Sequence, residues 1–154
     1  MSTGNARIAS LLKDILADQH VIYMKARNYH WNITGPYFFT LHIKFEEIYT
    51  LFATQIDEVA ERIRTFGEKV PGTMVEFVSM SSLKEDPNVN ADAAAMAQNL
   101  AADLTALAKK MKESAMEMQK EFEEEITAGM LYGFAEGFEK DAWMLRASSP
   151  KPQS

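Results

Sequence analysis

Apolar residues recur along this chain with a helical rhythm. Ile8, Leu11, Leu12, Ile15, Ile22 and Tyr23 fall largely at spacings of three, four and seven, which predicts an amphipathic helix. After Gly35-Pro36 the rhythm resumes with Phe45, Ile48, Phe52, Ile56, Val59, Ile63 and Phe66 and lasts about six turns. GEKVPG ends this second helix, with Gly67 at a natural C-cap. Residues 73–84 suit a short helix or a loop. A third long helix, over about 91–121, is rich in Ala, Leu and Met and poor in β-branched residues. A fourth runs over about 123–146, with Leu131, Phe134, Phe138, Ala142 and Leu145 on one face. Gly129, Gly133 and Gly137 lie inside it, each costing about 1 kcal/mol relative to Ala. Close helix approach and local weakness both account for them. No strand-type alternation competes, so the pattern predicts an all-α four-helix bundle.

Composition adds limits. A chain of 154 residues, 47% hydrophobic, suits one domain over 1–154, with short flexible tails at about 1–5 and 147–154. Having no cysteine excludes disulfides and thiolate metal sites and fits a reducing compartment. The start lacks a basic stretch followed by an apolar one, and no apolar run approaches the roughly 18 residues that span a bilayer. A cytoplasmic protein with no membrane partner is expected. The net charge of −6 argues against a broad basic surface for nucleic acid.

A polar stripe runs beside the apolar one on the second helix. His42, Glu46, Ala53, Asp57 and Glu61 step by four, seven, four and four residues. Asp57 sits only about 20° round the helix from Glu46 and about 60° from His42. Carboxylates with imidazole on one face suit a transition metal such as iron, although such a stripe is more often just a solvated face. The rise from His42 to Asp57 is about 22 Å. Ligands of one ion lie within about 2.5 Å of it, so one chain cannot close this site. Two chains can, with their second helices antiparallel about a two-fold axis that crosses near residue 50. His30 can fold back over the Gly35-Pro36 turn to join His42. His20 has no matching partner and is expected at the surface or core edge, and the ten Met residues are expected as core filler.

NYHWNITGP, FFTLHIKFEEIY and QIDEVAERIRTFG together resemble the signature of the Dps family, the ferritin-like DNA-binding proteins from starved cells. EKDAWMLRA is similar to that family's last helix. The resemblance implies a ferritin-like four-helix bundle with a short extra helix between the second and third long helices, assembled as a hollow dodecamer. It implies a ferroxidase and iron-storage protein: His30 and His42 of one subunit meet Asp57 and Glu61 of its two-fold mate, with Trp31 nearby. Fe(II) bound there is oxidised, preferentially by hydrogen peroxide, and Fe(III) is stored as mineral inside, which protects against oxidative damage. Imidazole binds metal only when neutral, so acid weakens iron binding. Glu46 and Glu47 match acidic positions that nucleate mineral, Glu46 being also a candidate to support the ligands. Ile43 stands where some relatives carry an acid.

The alternative is a nucleoid-associated protein that protects DNA through a mainly structural shell. Lys-rich tails, which often serve DNA binding in the family, are missing: the first ten residues carry only Arg7 and the last seven only Lys151. Gly129 replaces a common acid of the iron-entry pore, leaving Glu123, Glu124 and Glu125 as candidates to supply its negative potential.

Overall fold

The computed structural model describes residues 3–148. Its helices are α1 (Thr3–Asn32), α2 (Phe38–Thr65), α3 (Met74–Met80), α4 (Ala93–Phe122) and α5 (Glu125–Ser148). The ambiguous stretch 73–84 thus holds a short helix. Both outer helices run into the expected tails, while Lys151 and residues 149–154 lie outside the described residues.

Local chemistry places the ends. Gly35 (φ 100°) and Gly67 (φ 83°) adopt the left-handed backbone that closes the turn after α1 and the end of α2. Thr73 and Asp92 cap α3 and α4 by accepting from the N–H groups of Glu76 and Ala95. At the end of α4 the Glu123 N–H donates to the Gln119 carbonyl and that of Glu124 to the Met118 carbonyl. This doubly bonded C-terminus needs a left-handed residue, and Glu123 takes that role at φ 54°.

Paired rings and charges fix the helix directions. Tyr29 meets Phe45 and Tyr23 meets Tyr49, so α1 and α2 are antiparallel. Arg7–Glu117 and Lys25–Asp103 make α1 and α4 antiparallel, and Lys112–Glu139 with Gln119–Tyr132 does the same for α4 and α5. Consequently α2 and α4 run the same way. The connection carrying α3 must therefore travel the bundle's length, about 40 Å, which is the single long crossover of ferritin-like bundles. The core holds Leu12, Ile15, Ile22, Phe45, Ile63, Leu104 and Leu131. Phe52 and Phe138 stack at 4.9 Å across α2 and α5. Met96, Met111 and Met118 are fully buried as core filler, but Met74, Met116 and Met144 are exposed, so that expectation holds for only part of the Met set.

One expectation about packing fails. A Cβ built on Gly129, Gly133 or Gly137 meets nothing within 4 Å. Close approach between helices of the same chain is therefore not what these glycines serve. Among the described residues no neighbouring helix reaches a Cβ on this face of α5 within that distance.

Candidate metal centre

The turn after α1 brings the last turn of one helix beside the second turn of the next. His30 and His42 stack there with ring centroids 3.8 Å apart and planes 13° from parallel. Each ring bonds the other residue's backbone: His30 Nδ1 lies 2.7 Å from the His42 carbonyl oxygen, and His42 Nδ1 lies 2.7 Å from that of His30. A carbonyl oxygen only accepts, so both Nδ1 atoms carry the proton. The reciprocal pair thereby fixes one tautomer in both rings and leaves both Nε2 lone pairs for a ligand.

Aromatic packing holds the rings in place. Phe38 stacks on His42 at 4.6 Å, and Tyr49 presents its ring edge-on to His30 at 5.3 Å. His30 is only 8% exposed. Glu46 Oε1 stands 3.9 Å from His30 Nε2, too far for a hydrogen bond but close enough to favour a cation there. The Tyr49 hydroxyl reaches the same carboxylate oxygen at 3.5 Å. Neither Phe38 nor Tyr49 follows from metal-ligand reasoning, although Tyr49 lies seven residues past His42 and so shares its face.

Behind the pair, α1 is stitched to the crossover. The Tyr29 hydroxyl donates to Asp86 Oδ2 at 2.6 Å, and the Asn28 amide donates to the Asp86 carbonyl at 2.8 Å. Burial first, and the bond to Asp86 second, push the Tyr29 phenol well above its ordinary range, so this donor stays protonated. Trp31, adjacent to His30 in the chain, points outward and is 56% exposed.

Asp57 and Glu61 lie further along α2, exposed and without an ion pair or hydrogen bond among the described residues. Their chain does not bring them to His30 and His42, and among the described residues no three His, Asp or Glu side chains gather as a metal site. Of the expected nucleation pair, Glu46 faces His30, whereas Glu47 lies 3.5 Å from Lys44 Nζ. Lys44 also pairs with Asp141 at 2.8 Å, so part of the acidity on this face is neutralised.

The acidic run before α5 divides as well. Glu124 accepts from the Thr127 N–H and hydroxyl and pairs with Arg62 at 3.2 Å. Burial raises its pKa, but these bonds and the Arg62 charge outweigh that and hold it below the ordinary range. Glu124 is thus spent on starting the helix, and Glu125 accepts from the Gln119 amide at 2.9 Å. Glu123 remains the exposed member without such a partner among the described residues.

Comparisons with known proteins bear on the fold. The ferritin-like domain family matches residues 9–149. The chain is 40% identical over 143 residues to the DNA protection during starvation protein 2 of Bacillus anthracis, covering 93% of this chain and 97% of that one. It superposes on the crystal structure of a Dps protein from Bacillus brevis with a TM-score of 0.90 at 36% identity, covering 96% and 97% of the two chains. A Vibrio cholerae O1 Dps protein, described as a member of the ferritin-like diiron-carboxylate proteins, superposes with a TM-score of 0.88 at 34% identity, covering 94% and 90%.

Proposed function

The chain belongs to the Dps branch of the ferritin-like family, and from that membership we propose that it oxidises and stores iron at centres shared between two subunits. His30 and His42 of one subunit supply the nitrogen ligands, and Asp57 and Glu61 of the two-fold mate supply the carboxylates. The single observation that carries this reading is the reciprocal histidine pair. It presents two pre-oriented Nε2 donors, while among the described residues the same chain assembles no group of three His, Asp or Glu that could hold a metal ion. The exposed, unpaired state of Asp57 and Glu61 fits groups that serve another copy.

Iron is the substrate. The histidines orient Fe(II), and the two carboxylates offset its charge and favour the more highly charged Fe(III). Hydrogen peroxide is the preferred oxidant: one molecule accepts an electron from each of two Fe(II) ions while its O–O bond breaks. Hydrolysis of the product to ferric oxyhydroxide releases protons, and Glu46 and Glu47 help to seed the solid. Twelve subunits enclose this mineral. Removing Fe(II) and peroxide together suppresses hydroxyl-radical formation, which protects DNA without touching it. Direct coating of DNA is disfavoured by the net charge of −6 per chain.

The ligand assignment is tested by following Fe(III) formation optically after peroxide is added to Fe(II)-loaded protein. His30→Ala and Asp57→Ala each slow the reaction about tenfold or more, at unchanged assembly mass. An intact shell of either variant that oxidises at the parent rate would refute it.

A further inference from the structure

Arg27 stands apart from the ligands. Its guanidinium carbon lies 5.4 Å from the ring centroid of Tyr23, 5.0 Å from that of Trp31 and 5.5 Å from that of Tyr49. Tyr23 and Trp31 sit four residues to either side on α1, and Tyr49 comes from α2. One guanidinium nitrogen donates to the Tyr23 hydroxyl at 2.8 Å, and the buried Nε has no acceptor. Among the described residues no carboxylate forms an ion pair with this cation. Aromatic faces hold it instead, and one of those rings, Tyr49, is the ring that packs against His30.

This arrangement has an electronic consequence. The negative face of an aromatic ring attracts a cation. Removing an electron from the ring reverses that attraction, because the resulting radical cation faces a fixed positive charge. We propose that Arg27 is a positioning residue of the oxidation centre, holding a charge against Tyr23, Trp31 and Tyr49 so that these rings resist one-electron oxidation. Oxidising equivalents raised at the centre then stay with iron instead of escaping through the nearest aromatic side chains. The purpose rests on the proposed ferroxidase reading; the electronic effect stands without it.

The second tryptophan supplies a reference indole, the exposures of both being those of the isolated chain. Trp31 is 56% exposed and Trp143 59%, and among the described residues no Arg or Lys stands over Trp143. The experiment uses iron-free assembled protein with Trp143→Phe, so that Trp31 is the sole indole. Photogenerated tris(bipyridine)ruthenium(III) takes one electron from Trp31 and becomes ruthenium(II). The indole radical cation then releases its N–H proton to water, and its absorbance gives the rate. Loss of an exposed cation–π contact corresponds to about a two- to five-fold change in equilibrium constant, about half of which on the free-energy scale reaches the barrier, so Arg27→Gln accelerates Trp31 oxidation about 1.5- to 2-fold. Arg27→Lys, which keeps the charge, stays near the parent rate. In the complementary Trp31→Phe protein, Arg27→Gln leaves Trp143 oxidation unchanged. An unchanged Trp31 rate in Arg27→Gln overturns the proposal, as does equal acceleration at Trp143 or a Lys variant as fast as Gln. Because no iron is present, failure of the ferroxidase reading would show in Fe(II) oxidation and not in these rates.

Discussion

The three histidines divide into two kinds. His30 and His42 spend Nδ1 on each other's backbone and keep Nε2 free, whereas His20 is committed to packing. Its ring stacks on Phe77 at 3.7 Å and its Nδ1 lies 2.8 Å from the Leu16 carbonyl oxygen. Burial lowers the His20 pKa, and the bond to Leu16 offsets only part of that. The folded chain therefore holds the proton less tightly than the unfolded chain does. The stability contributed by neutral His20 is complete above the ordinary imidazole value and is lost as pH falls through that value toward the lower folded one. Urea midpoints of iron-free protein between about pH 8 and about pH 5 should thus fall less steeply for His20→Phe than for the parent. Parallel slopes would show that His20 does not carry the linkage. The pairing of His30 with His42, the proposed ligands, was legible in the sequence because the turn residues Gly35-Pro36 and the helical spacing bring them together locally. Arg27, Phe38 and Tyr49 were not, because their part depends on rotamers and contacts across helices that periodicity does not encode.

Short α3 is held by few groups, and they cluster. Phe77 is its buried residue and rests on His20, while the chain leaving α3 is fixed by Asp18 of α1. Asp18, 1% exposed, accepts from the Ser81 hydroxyl at 2.7 Å and from the Ser82 N–H at 2.9 Å, and it pairs with Lys110 of α4. One buried carboxylate therefore ties α1, α4 and the crossover together. Asp18→Ala leaves the Ser81 and Ser82 hydroxyls, the Ser82 N–H and Lys110 without this acceptor, and should cost about 3 kcal/mol. Denaturant unfolding measures the loss, and limited proteolysis should locate new cleavage within 66–92. A loss under about 1 kcal/mol, with the crossover still protected, would show that α3 is anchored by its apolar contact alone. Helices of three turns or more were readable to within a few residues, since their apolar faces repeat. The short helix was ambiguous because seven residues with a single buried side chain leave no period to read. The glycines of α5 stayed ambiguous for a related reason: spacing marks a face, but not whether the same chain or another copy lies against it.

Considered as a molecule, the isolated chain leaves apolar surface uncovered on several elements. Met74, Val75 and Val78 of α3, Ile43 and Leu51 of α2, and Ile126 of α5 are all exposed. Surface of this kind suits burial between copies, and Ile43 and Leu51 flank the point near residue 50 where the proposed two-fold axis crosses. The axis makes a quantitative claim. Coexpressing His42→Ala chains with Asp57→Ala chains in equal amounts makes about half of all dimers mixed. Each mixed dimer contains one site with both lesions and one with neither, because the intact histidines come from one chain and the intact carboxylates from the other. About a quarter of the parent's sites should therefore recover, although each variant alone keeps at most about a tenth of the parent rate. A centre built within one chain would recover none, since every chain would carry a lesion. Initial rates of peroxide-driven Fe(II) oxidation, normalised to shell mass and composition, separate the outcomes. A quarter of parental activity supports the shared centre, and activity no higher than that of the separate variants removes it.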